Sequence, residues 1–317
     1  MSLKTKLVAN LSQWLSVEHD PSPISLSDHR RLAIEIRPCD VILVEGRSRI
    51  SDVIKTITHS VWTHAVLYIG RLVEIDDPEL RKAIETHYHG PPNEQLIIEA
   101  LLGEGTVVHP LSKYKDDHLR LCRPRGLSPD DMTKIIHYAA SQLGNAYDIR
   151  QLFDLARFFL PYGILPRRWR SSLFQHYVGA NTRTVCSTMI AEAFSHVQFP
   201  IIPIIQKTEE GILRLFRRNT RLYTPRDFDY SPYFDIIKYP FFGFDNLAAY
   251  RNLPWNQDGV ICNDENDCYI PQTDGSLMTA NHGGKNNGGK KNNGKEKKRT
   301  RFKGQEGVDP LKQKSGG

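Results

Sequence analysis

Thr63-His64-Ala65-Val66-Leu67-Tyr68-Ile69-Gly70 sets a histidine at the head of a β-branched, apolar run that a glycine stops. Such a run reads as a strand. Side chains alternate along a strand, so His64, Val66 and Tyr68 share one face. Outward from it the same grammar repeats. Asp40-Val41-Ile42-Leu43-Val44-Glu45-Gly46 is a second apolar run closed by glycine. Between the two, Ile50, Val53, Ile54 and Ile57 recur at helical spacing, with Ser51 as a cap near the start. Further strands are expected at 94–100 and 106–110, a hairpin across Gly103 and Gly105, and at 118–123. Ser128-Pro129-Asp130-Asp131 starts a helix that runs to about Leu143 and stops at Gly144. A short charged helix is expected at 28–35, and strand-like runs at 201–205 and 234–239. The sum is an α+β protein, with an antiparallel sheet carrying the histidine and helices packed against it.

A second stretch adds chemistry. Asn181-Thr182-Arg183-Thr184-Val185-Cys186-Ser187-Thr188-Met189-Ile190-Ala191-Glu192-Ala193-Phe194 reads as a polar loop delivering a cysteine to the first turn of a helix at about 186–196. A thiol there feels the positive end of the helix dipole, which lowers its pKa. A nearby imidazole completes a nucleophile and base pair. Glu99 is the only carboxylate in the apolar run 96–100, where an unpaired charge is costly, and a bond to an imidazole would explain it. Each residue also has a plainer reading: a core cysteine, a satisfied sheet histidine, an edge carboxylate facing water. His59 is a rival base but reads as a helix end. His87 and His89 lie in a polar loop without further ligands for a metal, and His109 reads as structural.

The chain has 317 residues and a formal net charge of +6. From Asn281 onward there are eleven Lys or Arg against three Asp or Glu, which leaves the remainder near −2. The body is therefore no basic nucleic-acid surface, and nucleic acid is expected only at non-specific contacts of the tail. The tail itself is Gly, Asn and Lys with few apolar residues and is expected to be disordered. The five cysteines (Cys39, Cys122, Cys186, Cys262, Cys268) are odd in number and scattered. They do not read as a disulfide framework; a reducing compartment is expected. Cys262 and Cys268 bracket an acidic loop read as a solvated turn. No cofactor and no metal is expected.

Leu3, Leu7, Val8, Leu11, Trp14 and Leu15 recur at helical spacing beside Lys4 and Lys6. Asn10, Ser12 and Gln13 interrupt any continuous apolar core, so the segment reads as an amphipathic helix and not a signal peptide. No run reaches the ~18 apolar residues of a membrane span. The aromatic and basic stretch from Tyr147 to Tyr177 ends its apolar part in Arg167, Arg168, Trp169 and Arg170. The N-terminal helix reads first as one packed on the domain and second as a membrane-surface anchor. The aromatic stretch reads either as a core helix with a solvated basic turn or as a lid or membrane-facing surface with arginines meeting anionic head groups.

The order His64, Glu99, then Gly144-Asn145-Ala146-Tyr147-Asp148, then Cys186 resembles the circularly permuted papain-like cysteine hydrolases, and within them the YiiX/YebB branch of the NlpC-type superfamily. Pro38-Cys39-Asp40-Val41-Ile42-Leu43 resembles that family's first core strand, although the family often has glycine where Cys39 stands. Thr224-Pro225-Arg226-Asp227 with Ser231-Pro232 resembles its closing segment. The resemblance covers roughly 36–240. It implies a papain-like fold with the nucleophile helix on the sheet, Cys186 as nucleophile, His64 as general base, Glu99 as its orienter and Tyr147 as a substrate or oxyanion neighbour. The domain layout is then an N-terminal helix and linker at 1–35, a catalytic domain at 36–242, an extension at 243–280 and a basic tail at 281–317. The implied activity is thiol-dependent cleavage of an amide bond of peptide or cell-wall type through an acyl-enzyme. A lipid esterase or acyltransferase of the lecithin retinol acyltransferase kind is the second reading, and a non-catalytic module with a papain-like shell the third. The implied partner is an amide- or ester-containing substrate, lipid included. The implied location is cytoplasmic, with a peripheral position at a membrane surface as the alternative.

Overall fold

The computed structural model describes residues 17, 19, 25–147, 183–184, 186–209, 211–243, 246–253, 260–262, 267–272 and 276–279. The chain divides into two compact units, Met1–Asp245 and Asn246–Gly317. The N-terminal helix expected at residues 3–15, the Arg167 to Arg170 stretch and the tail after Asn281 lie outside the described residues.

The first unit is built on six strands. These are β1 (Val41–Val44), β2 (His64–Arg71), β3 (Gln95–Leu101), β4 (Gly105–Pro110), β5 (Leu119–Pro124) and β10 (Phe234–Ile237). They form one sheet in the order β10-β5-β1-β2-β3-β4, and every pairing is antiparallel. Helices α1 (His29–Glu35), α2 (Arg49–Thr58), α3 (Pro78–Glu85), α4 (Pro129–Ser141), α5 (Cys186–His196) and α6 (Pro225–Tyr230) complete the unit. Two short strands, β6 (Ala146–Tyr147) and β7 (Arg183–Thr184), pair in parallel, and β8 (Ile204–Lys207) with β9 (Leu213–Phe216) make a separate hairpin.

Both faces of the sheet are covered at its centre, so β1, β2 and β3 read largely as apolar runs. Val41, Leu43, Ala65, Leu67, Ile69, Leu96 and Ile98 pack on one side with residues of α4 and α5, among them Ile135, Ala139, Met189, Ile190 and Phe194. Ile42, Val44, Val66, Tyr68, Ile97 and Leu121 pack on the other, under Leu32 of α1 and Tyr114. The expected face sharing of His64 with Val66 and Tyr68 is that second side.

Three local expectations change. The cap of α2 is Ser48, whose hydroxyl accepts from the Ser51 N–H, so the helix starts earlier than the apolar spacing alone suggests. The strand expected at 201–205 is shifted to Ile204–Lys207, because its register is set by a partner strand at Leu213–Phe216. Helix α3 is hidden in a polar stretch; Asp77 caps it and Pro78 opens it, but only Leu80 and Ile84 are buried. His59 ends α2 in the left-handed conformation (φ 50) and is exposed, as a helix end.

Cys39 also has a left-handed backbone (φ 68), just before β1. Glycine adopts that conformation without cost, which explains why a glycine suits this position. Its side chain is fully buried against the Met132 carbonyl, and burial pushes its thiol, like that of Cys122, far above the ordinary range.

In the second unit, β11 (Ile261–Cys262), β12 (Cys268–Pro271) and β13 (Leu277–Thr279) form an antiparallel three-stranded sheet. Cys262 and Cys268 are disulfide-bonded. This corrects the expectation that the five cysteines form no disulfide and stay reduced. The two cysteines stand directly opposite each other in the β11–β12 register, with Cα atoms 3.9 Å apart, a placement that composition alone does not show.

Candidate active site

Helix α5 is buried almost all round, through Cys186, Ser187, Thr188, Met189, Ile190, Ala191, Ala193 and Phe194. A helix with this pattern belongs in a core. Its start is pinned by the Ser187 hydroxyl, which donates to the Tyr223 carbonyl at 2.7 Å. Its middle is tied to α4 by the Tyr138 hydroxyl, which donates to Glu192 at 3.0 Å. These anchors hold Cys186 against Ala100 of β3 at the end of the sheet.

His64 opens β2 at that same end. Its ring hydrogen-bonds Cys186, and its Nε2 lies 2.7 Å from Glu99 Oε2. The β2–β3 register, with Leu67 opposite Ile98, puts Glu99 on the face that carries His64. Thus the three residues read from the sequence as nucleophile, base and orienter come together in one hydrogen-bonded line. Tyr147 reaches the site through backbone pairing: it stands opposite Thr184, two residues before Cys186, in the β6–β7 ladder.

Glu99 is 0% exposed and has more partners than the sequence suggests. Besides His64, its oxygens receive Lys113 Nζ at 2.8 Å and the Tyr114 hydroxyl, and His109 Nδ1 lies 2.8 Å away. His109 stands opposite Ile97 in the β3–β4 register while Glu99 stands opposite Val107, so both side chains lie on one face two positions apart. That alternation is a usable signal for His109. Lys113 and Tyr114 come from the single turn Leu111–Tyr114 after β4, and only the three-dimensional return of the chain brings them in. His109, read from the sequence as structural, is joined to the site by its hydrogen bond to Glu99.

Electrostatics follow the geometry. Burial alone would raise the Glu99 pKa, but hydrogen bonds from His109 and His64 and the charges of His64 and Lys113 hold it well below the usual carboxylate range. Burial would lower the His64 pKa, yet the facing Cys186 sulfur and Glu99 outweigh it and push His64 up to about 10. Burial would raise the Cys186 thiol; the His64 charge and hydrogen bond, with backbone bonds from Ala65 and Ser187, pull it below its ordinary value. Each of Cys186 and His64 thus favours the charged form of the other, and Lys113 Nζ, 2.8 Å from Glu99, sets a second pair of opposite charges beside them.

Among the described residues no group of three or more His, Cys, Asp or Glu is placed to hold a metal ion, and no helix is long and apolar enough to cross a membrane.

A thiol at a buried helix N-terminus, facing a strand-borne histidine that a carboxylate orients, is the arrangement of papain-like thiol hydrolases. Residues 35–158 match the family described as permuted papain-like amidase enzyme, YaeF/YiiX, C92 family. Over that segment, which holds His64 and Glu99 and ends before Cys186, the chain is similar to a family described as amidases. A solved structure, that of the metalloprotein yiiX from Escherichia coli O157:H7, is 15% identical and covers 64% of this chain and 97% of its own, with a TM-score of 0.39. A comparison with curated proteins finds no match.

Proposed function

We propose that the protein is a cysteine amidase that cleaves a peptide-type amide through an acyl-thioester on Cys186. What supports this reading above all is the line Cys186, His64, Glu99, with the carboxylate fully buried and four times partnered. The Cys186 thiolate attacks the amide carbon and forms a C–S bond. Backbone N–H groups at the start of α5 steady the oxyanion. His64, protonated at rest, gives its proton to the leaving nitrogen as the C–N bond breaks. The neutral imidazole then takes a proton from water, whose oxygen displaces the thiolate and releases the acid. Glu99 keeps the His64 ring oriented and its cationic form favourable throughout. Tyr147 is proposed as a substrate neighbour from its pairing beside Thr184.

The test is intact-mass analysis after incubation with a panel of acyl amides and peptides. An acyl adduct on the parent protein and none on Cys186→Ala is expected. An adduct that survives Cys186→Ala would refute the nucleophile, and adducts from phospholipids alone would move the substrate from amides to lipid esters.

A further inference from the structure

The β8–β9 hairpin carries large apolar side chains on both of its faces. The register pairs Ile205 with Leu215 and Lys207 with Leu213 on one face, and Ile204 with Phe216 and Gln206 with Arg214 on the other. The first face is the more open: Ile205, Leu213 and Leu215 are 56%, 63% and 58% exposed, against 48% and 44% for Ile204 and Phe216. Ile212, at the mouth of the turn, is exposed as well. A two-stranded ribbon is marginal by itself in water, and one with bare apolar faces calls for a covering partner.

The charges beside it select that partner. Lys207, Arg214 and Arg217 are exposed and have no carboxylate partner among the described residues, whereas Arg218 is held by Asp227 at 2.9 Å. Three such cations interleaved with isoleucine, leucine and phenylalanine are the composition of a surface that lies on anionic lipid. Their long stems can run along apolar surface while the charged heads reach phosphate. Glu209 is exposed in the turn, so the ribbon would lie along the interface and keep its tip in water. A cavity of about 180 Å³ opens at the base of the hairpin, with apolar walls at Phe199, Leu215 and Phe216 and polar ones at Gln198, Arg217 and Arg218. A flexible acyl chain can enter such a recess; a flat strand from another protein would use the ribbon's backbone edges and leave it empty.

We infer that the β8–β9 hairpin is a docking surface for an anionic phospholipid bilayer. The cavity includes Ser195 near the end of α5, about 13.5 Å along the helix from Cys186 at ~1.5 Å per residue. The surface is thus separate from the thiol, and the inference stands whether or not the amidase reading does.

Co-sedimentation of the full chain with phosphatidylcholine vesicles, without and with phosphatidylserine, tests it. Binding is expected only with phosphatidylserine, and weaker at high salt. Lys207→Gln, Arg214→Gln and Arg217→Gln together should weaken it on the order of 100-fold. Leu213→Ser with Leu215→Ser should weaken it by at least about 10-fold. Thermal unfolding should be unchanged in both, since the altered side chains are exposed. The basic C-terminal tail is present in every protein compared, so variants that bind like the parent would overturn the inference. So would absence of binding by the parent, or a lipid-free dimer that the leucine variant converts to monomer, which would make a second copy of the chain the occupant.

Discussion

At Glu99 a single carboxylate organises the site, and its replacement separates orientation from nucleophilicity. Glu99→Gln keeps the shape and removes the charge that favours the His64 imidazolium. kcat/KM for an amide substrate should fall about 10²- to 10⁴-fold. The alkaline limb of the pH profile should also move down from its position near 10, because His64 loses a group that raises its pKa. A loss of rate with the limb unmoved would mean that Glu99 serves packing alone. For the parent, the active form needs Cys186 ionised and His64 protonated. Activity should therefore rise as pH passes the lowered Cys186 value, stay level, and fall through about 10. Stability has the matching signs. The raised His64 contributes fully below its ordinary 6.5 and loses that contribution as pH climbs through about 10. The lowered Glu99 contributes above its ordinary 4.5 and loses it as pH falls through its depressed value. A pH series of urea melts would show both flanks.

At the scale of elements, α5 joins the chemistry at its first residue to the packing at its other end. Phe194 is fully buried, with ring centroids 5.3 Å from Phe199 and 5.4 Å from Phe234. Phe194→Ala should cost about 3–5 kcal/mol in a denaturant melt. The rate per folded molecule should change little, because Cys186 is anchored separately through Ser187. Elements whose residues all face the core are legible in the amino-acid sequence: β1, β2, β3 and α5 declare themselves as apolar runs or as a run of small and apolar residues stopped by polar ones. Helix α3 is not, since two buried positions in eight residues leave almost no periodic signal, although Asp77-Pro78 is a proper helix start. Strand β9 is not either, for its side chains are exposed along its whole length and its pairing with β8 is what defines it. In the site, Cys186, His64 and Glu99 each stand out against their own local background. Lys113 and Tyr114 have no such contrast and become meaningful only when the turn after β4 closes over Glu99.

Across the whole molecule, charge and covalent linkage are unevenly distributed. The only disulfide among the described residues lies within Asn246–Gly317 and closes a short loop. Its reduction should cost that sheet about 2 kcal/mol by chain entropy. Hydrogen exchange at 260–279 should speed up on reduction while 64–71 and 186–196 keep their protection; faster exchange in all three would mean that the bridge supports the catalytic unit. The positive charge lies further on still. Removing everything after Ala280 takes away the eleven Lys or Arg and three Asp or Glu of the tail and turns a net +6 into about −2. The shortened protein should cease to bind cation exchanger at neutral pH and should lose low-salt retention of nucleic acid, because that attraction comes from counterion release by clustered cations. Its rate on an amide substrate should stay within a factor of about two of the parent, since Cys186, His64, Glu99 and every group bonded to Glu99 precede residue 245. Nucleic-acid retention that persists after truncation would place the basic surface on the folded body, against its charge balance.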